Sequence, residues 1–298
     1  MAKWILLLAI PVAALLVLGA CSGTPTVETG EPQQLRINKV ESASMPAPGD
    51  VLRVASLNIA HGRGDSLNQL LVSKDSIRKN LGFIANFLRE QEIHLAALQE
   101  VDAPSGWSGN FDHAEYLAVD AGYRWWIQAS HASLGIANYG TAILSSVPIE
   151  LAARLDFTPS PPTAGKGFTV AEILWQPPGH AAVTIDVVSI HMDFSRKSVR
   201  EQQLQELSDT LKGRSNPLIL MGDFNSETLA DRLVREAAEN ERQLHTWIHG
   251  DNSLNSYKEK RLDWIIVSGD LEFVDYTAAT AVLSDHRAVI AKLRLRTD

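Results

Sequence analysis

At 298 residues, 45% of them hydrophobic and 21% charged, the chain holds enough apolar material for a full core, which excludes a disordered polypeptide. Its net charge of −8 is the wrong sign for a protein that grips nucleic acid nonspecifically, because such proteins meet the phosphates with a basic surface. The single cysteine, Cys21, excludes a disulfide framework.

The first 21 residues run Met-Ala-Lys-Trp, an apolar stretch from Ile5 to Leu18, then Leu18-Gly19-Ala20-Cys21. A cation, a short apolar run and small residues make a secretory leader, too short to span a membrane comfortably. The last four residues resemble a bacterial lipobox, whose cysteine is diacylated and becomes the new N-terminus, so no thiol is left for catalysis. This predicts a protein of the bacterial cell envelope, extracytoplasmic and anchored to the membrane through lipid on Cys21. Ser22 resembles an outer-membrane address if the cell is Gram-negative. Residues 22–50, rich in Thr, Pro, Gly, Glu, Gln and Ser, read as a flexible tether, and residues 51–298 as the folded, catalytic domain. With Lys3 set aside in the leader, the remainder carries −9.

The domain opens with an apolar strand over Val51–Ile59, followed by Ala60-His61-Gly62-Arg63-Gly64. Ile77, Leu81, Ile84 and Leu88 recur every three to four positions and predict an amphipathic helix over Ser73–Glu90. Ile93–Glu100 is a buried strand ending in an acid. A short helix over Asp112–Ala121 precedes strands over Trp125–Ala129, Gly140–Ser145, Leu151–Phe157, Phe168–Trp175 and Ala182–Ile190. Pro159, Pro161 and Pro162, then Pro177, Pro178 and Gly179, mark turns. A helix over Ser198–Lys212 leads to the strand Leu218–Met221, broken by Gly222 and followed by Asp223-Phe224-Asn225. A helix over Glu227–Asn240 and strands over Arg261–Val267 and Leu271–Tyr276 come next. Ser284-Asp285-His286 and a strand over Ala288–Leu295 complete the pattern.

Val51–Glu100 and Val183–Asn225 are both strand–helix–strand units of βαβ length. In α/β sheets, functional groups gather outside the carboxyl ends of the strands. Two such units joined by hairpin strands predict two sheets packed together, with helices on the outer faces.

Asn58, Glu100, His191, Asp193, Asp223, Asn225, Asp263, Asp285 and His286 fall where apolar strands end or turns begin. Taken singly, each has a turn, capping or core explanation. Together, several carboxylates converging at one rim repel one another and need a cation to balance them. Oxygen donors, few histidines and no thiol favour Mg²⁺ or Mn²⁺ over zinc, and there is no HExxH. No GxxxxGK(S/T) loop supports P-loop NTP hydrolysis, and no GxSxG elbow supports a serine esterase.

Leu57-Asn58-Ile59, Leu98-Gln99-Glu100-Val101, His191-Met192-Asp193, Gly222-Asp223-Phe224-Asn225, Arg261-Leu262-Asp263-Trp264 and Ser284-Asp285-His286 occur in this order. They resemble the successive motifs of the endonuclease/exonuclease/phosphatase superfamily, the DNase I-like hydrolases, over Val51 to Leu295. The resemblance implies a four-layer α/β sandwich, two packed β-sheets flanked by helices, and cleavage of phosphate esters by water with Mg²⁺. It implies Glu100 as the principal metal ligand, Asn58 assisting the metal or the phosphate, and Asp285 supporting the metal site. Asp223 would orient and deprotonate the attacking water, with Asn225 positioning it. His286, held in its tautomer by Asp263, would bond a phosphate oxygen. His191 would stabilise charge or protonate the leaving oxygen. Asp193, Tyr139 and Thr141 are implied on the substrate side, Thr141 standing where relatives often place Asn.

The motifs do not separate the family's nucleases, sphingomyelinases, inositol-phosphate phosphatases and other phosphodiesterases; the loops do. Here the informative loops are Ala103–Tyr116, Gln128–Tyr139 and Glu241–Lys260, and their Trp107, Phe111, His113 and His131 read first as packing. An acidic, tethered chain favours a phosphodiesterase or phosphatase acting on a lipid headgroup or small phosphodiester. An endonuclease acting on extracellular or periplasmic nucleic acid is the alternative. A catalytically silent binding lipoprotein is a third class, disfavoured because Asp223, His191 and His286 are all present.

Overall fold

The computed structural model describes residues 31–66, 68–239, 242–248 and 252–296. The expected leader, the lipobox and Cys21 lie outside the described residues. In chain order the first elements are β1 (Gln33–Gln34), β2 (Asn38–Lys39), β3 (Leu52–Asn58), α1 (Lys74–Glu90), β4 (Leu95–Asp102) and α2 (His113–Ala121). Then come β5 (Trp125–Leu134), β6 (Ala137–Ser145), β7 (Ile149–Asp156), β8 (Gly167–Trp175), β9 (Val183–His191) and α3 (Lys197–Leu211). The last are β10 (Leu218–Asp223), α4 (Leu229–Glu239), β11 (Leu244–Thr246), β12 (Asp263–Ser268), β13 (Leu271–Ala278) and β14 (Val289–Leu295).

The strands form two mixed sheets of seven, ordered β1-β7-β8-β9-β10-β12-β11 and β13-β14-β3-β4-β6-β5-β2. Alternation along each strand divides the apolar residues between two faces. Leu52, Val54, Leu95 and Ala97 of one sheet meet Ile185, Val187, Ile219, Met221, Ile265 and Val267 of the other in the central core. The residues between them face outward: Ala55, Leu57, Ala96 and Leu98 pack under Ile77, Leu81, Ile84 and Leu88 of α1. Val188, Ile190, Leu218 and Leu220 pack under Leu204 and Leu207 of α3 and Leu229 and Leu233 of α4. The result is the four-layer α/β sandwich. Each fully buried Leu or Ile contributes roughly 1.5–3 kcal/mol, so the apolar periodicity of α1 is enough to fix its docking face. Ser73 starts that helix, its Oγ accepting from the Ser76 N–H at 3.2 Å.

Three expectations need correction. From residue 33 the segment read as tether lies on the domain: Gln33 and Gln34 pair with β7, and Asn38 and Lys39 pair with β5. Met45 is buried, and Ser44 and Met45 both donate backbone bonds to Gly122 O. Gln128–Tyr139, read as a loop, is the upper part of a hairpin: β5 and β6 pair as far as Leu134↔Ala137, with the turn at Gly135 and Ile136. Small residues such as Ala129, Ser130, Ala132 and Ser133 hide its alternation. Finally, β4 does not end at Glu100 but runs on to Asp102.

Gly222 sits at φ 152° beside Ile190 of the parallel neighbour β9, and a Cβ there would lie 2.1 Å from the Ile190 carbonyl oxygen. Only a residue without a side chain allows the two strands this approach. Gly222→Ala is therefore expected to destabilise the fold by about 3 kcal/mol or more, read as a lower urea midpoint. An unchanged midpoint would show that β10 can shift without cost.

Candidate active site

Side-chain parity explains how the strand-end polar groups reach one place. Asn58 continues the inward row of Leu52 and Val54; His191 continues that of Ile185 and Val187; Asp223 that of Ile219 and Met221. β3 and β4 pair in parallel, as do β9 and β10, so each pair shares a carboxyl end. β12 runs antiparallel to β10 and begins at the same rim, with Asp263 facing inward beside Asp223. His286 arrives in the turn before β14, where Ser284 Oγ donates to Asn58 O at 2.6 Å and accepts from His286 N at 2.9 Å. Asn58, His191, Asp223 and His286, together with Glu100, Asn225 and Asp285, line a cleft of about 730 Å³, a size typical of small-molecule sites, with Asp263 buried behind them.

Asp223 is the centre of this set. Its Oδ2 accepts from Asn58 Nδ2 at 3.2 Å and its Oδ1 from the Asn225 N–H at 2.8 Å. His191 Nε2 and His286 Nε2 lie 3.7 and 3.9 Å from Asp223 Oδ2. Burial, then the Asp263 carboxylate, push the Asp223 carboxyl up to about 7. The two histidines are driven apart. Burial would lower His286, but Asp263, 2.7 Å from its Nδ1, and Asp223 outweigh it and lift the ring to about 10. Burial and the neighbouring Lys166 ammonium hold His191 well below the usual histidine range. At neutral pH the site thus presents one cationic imidazole, one neutral imidazole and a carboxyl poised between its two states.

Glu100 reaches the cleft by breaking the alternation. In the ladder with β6, Gln99 pairs with Thr141 and Val101 with Gly140, leaving Glu100 as the extra residue of a β-bulge. Its φ of 54° is a left-handed conformation that non-glycine residues adopt where the surroundings impose it. Burial opposes its ionisation, yet His61, His191, Lys166 and His286 together pull its carboxyl down to about 2.

Of the remaining expected residues, all but Asp285 stand outside the cleft lining. Asp193 is buried and spends its carboxylate on Thr163, Ser195 and Arg196, stapling the loop before α3. Thr141 is fully buried in β6, its Oγ1 2.9 Å from His131 Nε2. Tyr139 packs edge-on against His61, with ring centroids 4.6 Å apart. His113 and His131 are tied inside the protein, to Ser108 O and Asp156, in keeping with packing. Asp285 lines the cleft, but Arg63 holds its Oδ2 at 2.6 Å.

Residues 55–286 match the model of the Endonuclease/Exonuclease/phosphatase family. The chain belongs to that family. It is accordingly a hydrolase of phosphate esters. No curated protein matches the sequence. Among solved structures, an endonuclease/exonuclease/phosphatase from Beutenbergia cavernae has a TM-score of 0.64 at 19% identity, covering 83% of this chain and 72% of its own. The catalytic domain of human Nocturnin, with bound sulfate, has a TM-score of 0.60 at 18% identity over 88% of this chain and 98% of its own. A mannosyl-6-phosphatase from Bacteroides thetaiotaomicron has a TM-score of 0.56 at 18% identity over 81% of this chain and 99% of its own. At these identities the likeness is one of fold.

The family is generally dependent on a divalent metal, and the residues of this endonuclease/exonuclease/phosphatase member fit one. Glu100 is ionised and about one-fifth exposed to the cleft, and Asp285 Oδ1 is buried without a hydrogen-bond partner. Asn58 Oδ1 accepts one bond, from Ala60 N, and keeps a lone pair. Such oxygen donors suit a hard cation. Asp223, Asp263 and His286 also have potential ligand atoms within 4.8 Å of one another, but Asp263 already engages the His286 ring.

Sequence reasoning missed several residues in the cleft wall or directly behind it. Lys166, between Gly165 and Gly167, is buried with its Nζ 2.9 Å from His191 Nε2. It hid because a lysine between glycines after a proline cluster looks like an exposed turn. His61 Nε2 lies 3.2 Å from Glu100 Oε2. Its signal was the histidine-glycine turn three residues beyond Asn58. Arg200, Lys258 and Lys260 bring positive charge to the cleft wall beside exposed Phe194 and part-buried Tyr257, whose ring packs 4.8 Å from His286.

Proposed function

We propose that this protein is an extracytoplasmic, membrane-tethered, Mg²⁺- or Mn²⁺-dependent phosphodiesterase or phosphatase. The observation that carries the reading is the triangle at Asp223: one carboxyl lifted to about 7, with a neutral and a cationic imidazole 3.7 and 3.9 Å away. Asp223 orients a water through one carboxylate oxygen and takes its proton; a base that titrates near neutrality is matched to that task. Asn58 and Asn225 fix the carboxylate by the bonds they donate to it. The His286 cation, held by Asp263, bonds a non-bridging phosphate oxygen and stabilises the charge gathering there. Neutral His191 offers a hydrogen bond to the phosphate or to the leaving oxygen. Glu100, with Asn58 and Asp285 beside it, would hold the metal, which when bound polarises the phosphoryl group as a Lewis acid. The lipobox at Cys21 supports a lipid anchor and a substrate met outside the cytoplasm.

The cations on the cleft wall, Arg200, Lys258 and Lys260, favour a second reading in which the substrate is nucleic acid, despite the acidic chain. Both are tested with the full chain and its Asp223→Ala variant on sphingomyelin vesicles, a bis-aryl phosphodiester, a phosphomonoester and plasmid DNA, with Mg²⁺ or Mn²⁺. Metal-dependent turnover that the variant lacks is the expected result, and the preferred substrate separates the two readings. Folded, metal-binding protein that turns over none of the four would speak against both.

A further inference from the structure

His61 is not among the groups that carry the hydrolytic reading above, yet it touches the residue on which metal binding rests. It lies in the turn just after β3, where Ala60 and His61 have φ of 47° and 55°. Both are in the left-handed region, which side-chain-bearing residues enter only when the surroundings compel it. Glu100, at φ 54°, is in the same condition. The two constrained residues come from separate segments and meet side chain to side chain, His61 Nε2 3.2 Å from Glu100 Oε2.

The rest of the ring is locked. His61 Nδ1 lies 2.8 Å from Asp102 Oδ2, and Trp107 Nε1 donates to the other oxygen of that carboxylate at 2.6 Å. The Trp107 and Tyr139 rings pack edge-on against the imidazole, with centroids 4.8 and 4.6 Å away. Asp102 itself is fully buried. With Nδ1 held by the buried Asp102 carboxylate, Nε2 is the nitrogen turned toward the Glu100 carboxylate, where a cation can take the place of a proton. Carboxylate, imidazole and a free nitrogen in that order are the arrangement by which proteins orient a metal-binding histidine.

The spacing agrees. Two ligands about 2.1 Å from one ion at a right angle are about 3.0 Å apart, close to the observed 3.2 Å. We propose that His61 is a second protein ligand, beside Glu100, of the divalent cation; this rests on the metal-dependent reading of the site. The bulge at Glu100 and the strained turn at His61 then serve one end, presenting an oxygen and a nitrogen to the same ion. A nitrogen donor also shifts preference from Mg²⁺ toward Mn²⁺ and later transition metals.

The test uses Mn²⁺ alone as probe and the full chain without substrate. Binding is followed by electron paramagnetic resonance, and nitrogen coordination by ¹⁴N coupling in the pulsed spectrum. His61→Asn is the main variant, because asparagine tolerates the left-handed backbone and preserves the turn. The wild type should bind Mn²⁺ with ¹⁴N coupling. His61→Asn should lose the coupling and bind at least about tenfold more weakly. His61→Ala, checked for folding by circular dichroism, should behave alike. Absence of ¹⁴N coupling in the wild type, or its persistence in a folded His61 variant, would overturn the assignment and leave His61 as a hydrogen-bonding neighbour of Glu100. Glu100→Gln tells the two layers apart: if it too leaves Mn²⁺ binding unchanged, the metal site itself is misplaced. If it abolishes binding while His61→Asn leaves both the affinity and the ¹⁴N coupling unchanged, only the role of His61 falls.

Discussion

Asp223→Asn is expected to lower kcat by about 10³-fold or more, with little change in KM. The amide keeps the shape of the side chain but has no lone pair basic enough to take the proton of water, and general-base catalysis contributes typically about 10²–10⁴-fold. The same substitution should not cost stability, and the sign follows from linkage. The folded carboxyl is lifted from its usual 3.8 to about 7, so the folded state holds its proton more tightly than the unfolded state does. Stability from this group therefore falls as pH rises from about 4 to about 7, because ionised Asp223 is buried near Asp263. The melting temperature of Asp223→Asn relative to wild type, measured without metal, should accordingly be more favourable at pH 8 than at pH 5. Retention of a tenth or more of the wild-type kcat would remove Asp223 from the role of base.

Asp263→Asn should displace the pH–rate profile. In the wild type, activity needs Asp223 ionised and His286 protonated, giving a bell that rises near 7 and falls near 10. Asp263 raises both groups, and it acts on His286 twice, through its charge and through the 2.7 Å bond. Its removal moves both limbs to lower pH, the alkaline limb further, so the bell narrows. Activity at pH 9 should fall by about 10²-fold or more, and by less at pH 6. The stability effect has its own window. His286, raised on folding, contributes stability that is complete below its unfolded value near 6.5 and lost as pH rises through about 10. The variant's deficit should therefore be greatest in acid and shrink above pH 10. Coincident profiles for the two proteins would show that Asp263 does not govern His286.

The site was legible in the sequence where strand parity and chain chemistry coincide. Asp223 sits one step beyond an inward apolar row, Asp263 one before, and Asn58 and His191 two beyond, past Ser56 and Ser189, so counting by twos is enough to converge them. The fold was legible for the same reason, since apolar runs with outward helix faces leave few alternatives to a layered sandwich. Glu100 was found from the motif order, but its route into the cleft was not. A bulge adds one residue to a ladder, and no letter in Leu-Gln-Glu-Val announces it. Lys166 and His61 were hidden because burial of a charged or polar residue in a turn depends on what the rest of the chain brings over it. Thr141 and Tyr139 belong to a strand whose neighbours, His131 and His61, claim their side chains before a ligand can.

The two-residue strands β1 and β2 bear on solubility. β1 covers the outer edge of β7 and β2 that of β5, one on each sheet. Uncovered sheet edges are templates on which copies of a protein stack into aggregates. A chain cut at Val51, where the apolar pattern begins, would keep every residue of the cleft and yet lose both edge guards. It should precipitate at concentrations that the longer chain tolerates, so a truncation made for crystallisation or biotechnology is best begun before Gln33.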